Sequence, residues 1–286
     1  MRLHCVDDGA PAVTLRLLRI ACEARGVEFI RVDAPRFDFD AARCAHAGDA
    51  LVRPAVSVAA RRVEQFLHAP GVATFHARDD GLLFPAWHWP LAHARAGVPV
   101  PRTIPCASSD RALLRRFATE LGGPPVVVKV PGGSGGIGVM RADSLAALFS
   151  LADFLLARGL DPVLSAYVPD TTPWRVIVVG DDAVAGHRGS LAAGDFRSSG
   201  APVPDAEPDG TPPALGRLAV RAVHVLGLEH GGVDVLETAS GDLVVLEVNF
   251  PCFFAQAQQV TGVDVAGRMV EHLVAKAARE GRAHSW

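Results

Sequence analysis

Leu3 to Val6 is an apolar run of strand length, Asp7-Asp8-Gly9 follows as a turn, and Leu15, Leu18 and Cys22 then recur at helical spacing until Gly26 offers a stop. Val27 to Val32 is again apolar enough for a strand. Strand, helix and strand in that order predict a small parallel α/β unit, because parallel neighbours need a crossover helix. It is expected over residues 1–96.

Gly97-Val98-Pro99-Val100-Pro101 cannot continue a helix and marks the next boundary. Ser109 precedes a helical run through Leu113, Leu114, Phe117 and Leu121, which Gly122-Gly123-Pro124-Pro125 ends ahead of a strand from Val126 to Val130. Leu145, Leu148, Ala152 and Leu155 repeat helical spacing, and Val163 to Val168 reads as a strand, so a second unit spans 97–169. In the third, 170–286, Arg175 to Val179 and Ala183 to Arg188 flank a Gly180-Asp181-Asp182 hairpin turn. A long Gly, Pro and Asp-rich loop over 189–213 follows, either functional or mobile. A helix through Leu218, Val220, Val223 and Leu226 then leads to strands Val233–Glu237 and Leu243–Val248.

Composition narrows the class. Of 286 residues, 49% are hydrophobic and 21% charged, which is globular and able to support large cores. A net charge of −3 gives no pull toward nucleic acid or an anionic membrane, so neither is expected as a partner. Five scattered cysteines without a CxxC pair suggest a reducing compartment rather than a disulfide framework. With acids as early as Asp7 and no run approaching ~20 apolar residues, a soluble cytoplasmic protein is expected.

Three stretches carry chemistry. The first is Val126-Val127-Val128-Lys129 followed by Pro131-Gly132-Gly133-Ser134-Gly135-Gly136-Ile137-Gly138. Glycines let backbone amides approach anionic oxygens, and a strand lysine supplies a fixed positive charge, so the pair suits phosphate. No lysine closes the loop as in a P-loop, and a flexible hairpin with an edge lysine fits these residues as well. The second is Gly232-Val233-Asp234 with Leu246-Glu247-Val248-Asn249 on two apolar strands. Period-two alternation puts Val245, Glu247 and Asn249 on one face, Asp234 can join them from its neighbour, and such oxygens with substrate phosphates are what Mg²⁺ prefers. Solvent-facing acids on a hairpin are the alternative, weakened because Glu247 follows Leu243-Val244-Val245-Leu246. The third is Arg175, Arg188 and Arg197, suited to bidentate binding of carboxylate or phosphate, although each taken singly also fits a surface arginine.

In order, these stretches resemble the ATP-grasp superfamily, the RimK-like carboxylate-amine ligases most closely, over about residues 97–275. Thr261-Gly262-Val263-Asp264-Val265-Ala266 is similar to that family's C-terminal helix entry. The resemblance implies an α/β (α+β) ATP-grasp fold with an N-terminal parallel α/β pre-ATP-grasp domain, using ATP and Mg²⁺. It places Lys129 on the α/β-phosphates, closes the loop of Gly132, Gly133, Ser134, Gly135, Gly136 and Gly138 over the triphosphate, and sets Ser165, Ala166, Tyr167 and Val168 beside adenine. Asp234, Glu247 and Asn249 would hold magnesium, and Arg175, Arg197 and, less securely placed, Arg188 would serve phosphate and acyl group.

The implied reaction activates a carboxylate as an acyl phosphate and joins it to an amine. The carboxylate can belong to a small molecule, peptide or carrier protein, and a homo-oligomer is compatible. A degenerate nucleotide-binding module and a phosphotransferase remain as alternatives. Four departures bear on this: Pro85 to Pro90 holds no lysine, the Ser165–Val168 hinge lacks an acid, and Pro173 and Ser199 replace a family aspartate and asparagine. Phe250 to Phe254 follows Asn249 as an expected wall of the acyl pocket, and Cys252 is expected to be a packed thiol because no histidine stands in sequence to activate it.

Overall fold

The computed structural model describes residues 1–40, 44–83, 89–130, 136–191, 195–202 and 210–283. The opening pattern folds as predicted: β1 (Arg2–Asp7), α1 (Ala12–Glu23) and β2 (Glu28–Asp33), joined by β3 (Ala50–Val52) and α2 (Val58–Leu67). The three strands form a parallel sheet in the order β2-β1-β3. Two short helices, α3 (Asp79–Leu83) and α4 (Trp89–Arg95), lead out of this unit.

The second unit holds β4 (Thr103–Ile104), α5 (Arg111–Glu120), β5 (Val126–Lys129), β6 (Val139–Ala142), α6 (Leu145–Leu156) and β7 (Val163–Ala166). Its antiparallel sheet runs β4-β7-β5-β6 and packs Val126, Val128 and Leu164 against Leu114, Leu148 and Leu155 of the two helices. The cap of α5 differs from the expected Ser109. Asp110 accepts hydrogen bonds from the amides of Ala112 and Leu113 at 2.8 and 3.0 Å, and so satisfies two of the donors that a helix start leaves unpaired.

The third unit supplies β8 (Thr171–Val179), β9 (Asp182–Leu191), β10 (Ser198–Pro202), α7 (Pro213–Val225), β11 (His230–Thr238), β12 (Leu243–Asn249), α8 (Ala255–Thr261) and α9 (Val265–Ala283). The expected 189–213 loop therefore contains a strand: β10 pairs antiparallel with β9 through Ser198 and Leu191. The five-stranded sheet runs β10-β9-β8-β11-β12. One face packs Trp174, Val176, Val233, Val235 and Val245 on α7. On the other, Ile177 and Val179 meet α9 and the first unit, where Leu18, Phe75, Met269 and Leu273 share one core.

A β-bulge in β12 corrects the expected alternation. Asp234 pairs with Glu247, but the next residue, Val235, pairs with Val245, so Leu246 is the extra residue. Across it the side chains change phase. Val245 is fully buried in the α7 core, while Glu247 and Asn249 face the opposite side, where Asp234 also lies. Glu247 and Asn249 share a face as expected; Val245 does not.

Candidate active site

A cleft of about 680 Å³ lies between the four-stranded and five-stranded sheets. From the four-stranded side come Lys129 at the end of β5 and the segment Ser165, Ala166, Tyr167 and Val168 at the end of β7. From the five-stranded side come Arg175, Asp234, Glu247 and Asn249.

The five-stranded side is built by register. His187 of β9 pairs with Arg175 of β8, Arg175 with Asp234 of β11, and Asp234 with Glu247 of β12. Directly opposed residues of antiparallel strands share a face. The four side chains therefore form one row across four strands, and the cleft lies on that face. Arg175 Nη1 donates to both carboxylate oxygens of Asp234 at 2.8 and 2.9 Å, and Asn249 Nδ2 donates to Oδ2 at 3.0 Å. Gly232 makes this possible: a Cβ there would stand 2.8 Å from the Arg175 guanidinium carbon.

Charge is balanced across the cleft. Burial pulls the Lys129 ammonium below its usual pKa, against the opposing pull of Glu247 and Asp234. Desolvation, and then the neighbouring Asp234, pushes Glu247 above the usual carboxylate range, while Lys129 and Arg175 act the other way. For Arg175 burial is the largest influence and lowers the pKa, yet Asp234 and its other partners keep the guanidinium above its ordinary value. Two carboxylates and an amide whose nitrogen is already spent on Asp234 offer hard oxygen donors. Among the described residues there is no cluster of three His, Cys, Asp or Glu side chains able to cage a metal. That set fits Mg²⁺, which is usually bound through one or two carboxylates with phosphates and water completing the shell.

Around this centre the expected residues divide. Gly132, Gly133, Ser134 and Gly135 lie outside the described residues. Gly136 lines the cleft, and its carbonyl accepts from Arg197 Nη1 at 3.2 Å, tying the glycine segment to the residues just before β10. Gly138, at φ 84°, closes the return turn by accepting from the Val130 amide at 2.9 Å but does not line the cleft. Arg197 lines it and holds Asp195 through its side chain and amide, which brings that carboxyl down to about 2. Arg188 is a correction: next to His187 on a strand it points to the opposite face, where its guanidinium lies 5.1 Å from the Trp174 ring centroid.

Several residues escaped the sequence reading. His187, not Arg188, shares the face of Arg175, and only the register of β9 on β8 reveals it. Asp170, held at φ 50°, lines the cleft just beyond the hinge, so an acid is present where none was expected. Phe196 meets Tyr167 edge-on at 6.4 Å, with Arg141 5.4 Å from the Tyr167 ring and 5.6 Å from that of Phe196. Of the 250–254 segment only Phe253 lines the cleft, joined by Gln256 beyond it, whereas Phe250, Cys252 and Phe254 turn inward.

Cys252 does have a histidine beside it. His230 Nδ1 donates to the Val178 carbonyl at 2.7 Å, leaving Nε2 to accept from the thiol at 3.3 Å. Burial pushes that thiol up to about 12 and the imidazole down to about 4, so both are neutral and the packed-thiol expectation stands.

The family model of the RimK-like ATP-grasp domain matches residues 91–273. The ribosomal protein bS6–L-glutamate ligase of Salmonella paratyphi B is 34% identical over 190 residues, covering 65% of this chain and 62% of that relative. The matched part thus spans less than two thirds of that protein. Among solved structures, the RimK domain protein ATP-grasp from Sphaerobacter thermophilus is 25% identical with a TM-score of 0.68, covering 96% of this chain and 100% of that one. D-cycloserine synthetase DcsG shares the fold at 20% identity and a TM-score of 0.72, over 97% and 100% of the two chains. The ATP-grasp ligase PsnB, solved with a phosphomimetic variant of its minimal precursor, Mg and ADP, shares it at 17% and 0.68, over 96% and 98%.

Proposed function

This chain belongs to the RimK-like ATP-grasp family, and on that footing we propose that it is an ADP-forming ligase joining a carboxylate to an amine. The observation that carries this reading is the row of Arg175, Asp234 and Glu247, with Asn249 beside it, facing Lys129 across a cleft of nucleotide size. A lysine, two acids and an arginine held on rigid strands suit a triphosphate whose terminal group is to be transferred.

In the proposed reaction a carboxylate oxygen attacks the γ-phosphorus of ATP, the bond from that phosphorus to the β,γ-bridging oxygen breaks, and ADP leaves. The amine nitrogen then attacks the acyl carbon, the carbon–oxygen bond to phosphate breaks, and inorganic phosphate departs with the electron pair. Lys129 holds phosphate charge from one side and Arg175 and Arg197 from the other. Tyr167 and Val168 flank the base, and Asp170 is placed to accept from ribose hydroxyls. Mg²⁺, held by Asp234, Glu247 and Asn249, would supply neutralisation of the charge developing on the phosphates.

We assign the units as a pre-ATP-grasp domain over 1–96, a central subdomain over 97–169 and a magnesium-bearing subdomain over 170–286. The bS6–L-glutamate ligase named above is named for a ribosomal protein, and PsnB has been solved with a precursor peptide, which supports a peptide or protein as one substrate here. Five free cysteines support a reducing cytoplasmic setting.

Release of ADP and phosphate from Mg-ATP, followed while carboxylates and amines are supplied in pools, tests the reading. Release that requires both, with a new amide, supports it. A phosphorylated product without amide would assign a phosphotransferase, and binding of Mg-ATP without turnover would assign a nucleotide-binding module.

A further inference from the structure

His187 begins the row that Arg175, Asp234 and Glu247 continue. It is 5% exposed, and the part of it that reaches space forms cleft wall. Strands lie about 5 Å apart in a sheet, so the imidazole stands two strands from the proposed magnesium acids, on the side where Phe196 and Arg197 close the cleft. The guanidinium of Arg175 leans the other way, over Gly232 and onto Asp234. The space above β8 beside His187 is therefore bounded by Arg175 and Arg197, two groups suited to an acyl phosphate. Behind it, Thr211 is packed so tightly on Gly186 that a Cβ there would overlap its hydroxyl, which fixes β9 at this point.

The second half of the proposed reaction needs a proton acceptor. An amine reaches the site from neutral water as an ammonium ion and becomes a nucleophile only on losing a proton. Among the described side chains of the cleft, Lys129, Arg175 and Arg197 are cations with no lone pair to accept a proton. Asp234 is spent on Arg175 and Asn249, Glu247 stands at the far end of the row, and Asp170 lies by the hinge. An imidazole is the group whose ordinary pKa suits proton transfer at neutral pH.

Resting on the ligase reading, we propose that His187 accepts the proton from the incoming amine. One proton of the ammonium passes to a ring nitrogen of His187, and from there to solvent after product leaves; the freed amine lone pair then forms the carbon–nitrogen bond as the carbon–oxygen bond to phosphate breaks, and the second N–H proton leaves with the departing phosphate. The amine would accordingly approach from the β9 side of the row, and the acyl phosphate would lie between it and the magnesium acids.

The test compares nucleophiles in the native protein and in His187→Gln, with Mg-ATP and a pool of L-amino acids and short peptides supplying carboxylates and amines. Hydroxylamine is largely uncharged at neutral pH and attacks an acyl phosphate without a base, so hydroxamate reports the first half-reaction and the integrity of the fold. The expected result is hydroxamate formation within about threefold of native and amide formation lower by on the order of a hundredfold or more. Equal loss of both products would make His187 structural, and equal retention would remove it from the proton transfer. Either result overturns the inference while leaving the ligase reading intact. A native protein that yields neither hydroxamate nor carboxylate-dependent ADP overturns the ligase reading, and the role of His187 with it.

Discussion

Arg175 and Asp234 face each other on adjacent strands, and one guanidinium nitrogen reaches both carboxylate oxygens at 2.8 and 2.9 Å. The proposed magnesium acid is thus already neutralised before a cation arrives. Its carboxylate is held in place for the metal at no ordering cost when nucleotide enters, and the guanidinium can turn toward phosphate as metal takes up that charge.

Gly232→Ala should disturb this pair while both partners keep their identity. The added Cβ would meet the Arg175 guanidinium within 3 Å. Turnover is expected to fall by on the order of a hundredfold, as displacement of a positioned group by about 1 Å does, with little loss of thermal stability. Steady-state kinetics with a melting scan checks it; native kcat would show that the guanidinium is not needed where it stands.

Lys129→Ala should weaken ATP more than adenosine, because its ammonium faces Glu247 and Asp234, where the phosphates are proposed to lie. Isothermal titration with both ligands decides this. Equal weakening would mean that the lysine supports the cleft rather than the phosphates.

The two neighbouring arginines should separate. Arg197→Ala is expected to cut turnover, whereas Arg188→Ala loses only an exposed stacking contact worth about 0.5–1 kcal/mol and should leave kcat/KM near native. A large kinetic defect in Arg188→Ala would contradict the strand register.

Stability should fall as the medium is acidified below neutral. Burial holds His76 and His230 down to about 4 from an ordinary 6.5. Between those values the unfolded chain binds protons that the native state refuses, so each imidazole removes up to about 1.4 kcal/mol of stability per pH unit as pH drops. Urea midpoints at pH 7 and pH 5 should therefore converge in His76→Gln relative to native. The same pH dependence in both proteins would count against the buried imidazole.

Most strands were legible in the sequence because apolar period and glycine or proline punctuation agree there, as from Leu3 to Gly26 and from Val126 to Leu155. The polar cleft residues were legible for another reason: Asp234, Glu247 and Asn249 interrupt apolar strands, where a charge or an amide demands a partner. What escaped depended on register. Arg188 and His187 are adjacent, and only the pairing of β9 with β8 says which one faces Arg175. Asp170 sits in an unusual backbone conformation beyond the strand, where no periodicity reaches, and β10 is hidden in residues whose composition reads as loop.

The bulge at Leu246 also governs which length changes this chain can survive. Deleting Leu246 would make Val245 and Glu247 neighbours, and strict alternation would then by itself keep Val245 in the apolar layer under α7 and Glu247 and Asn249 on the cleft face. Homologous strands aligned with a gap at this point should therefore retain both the proposed metal ligands and the core beneath them.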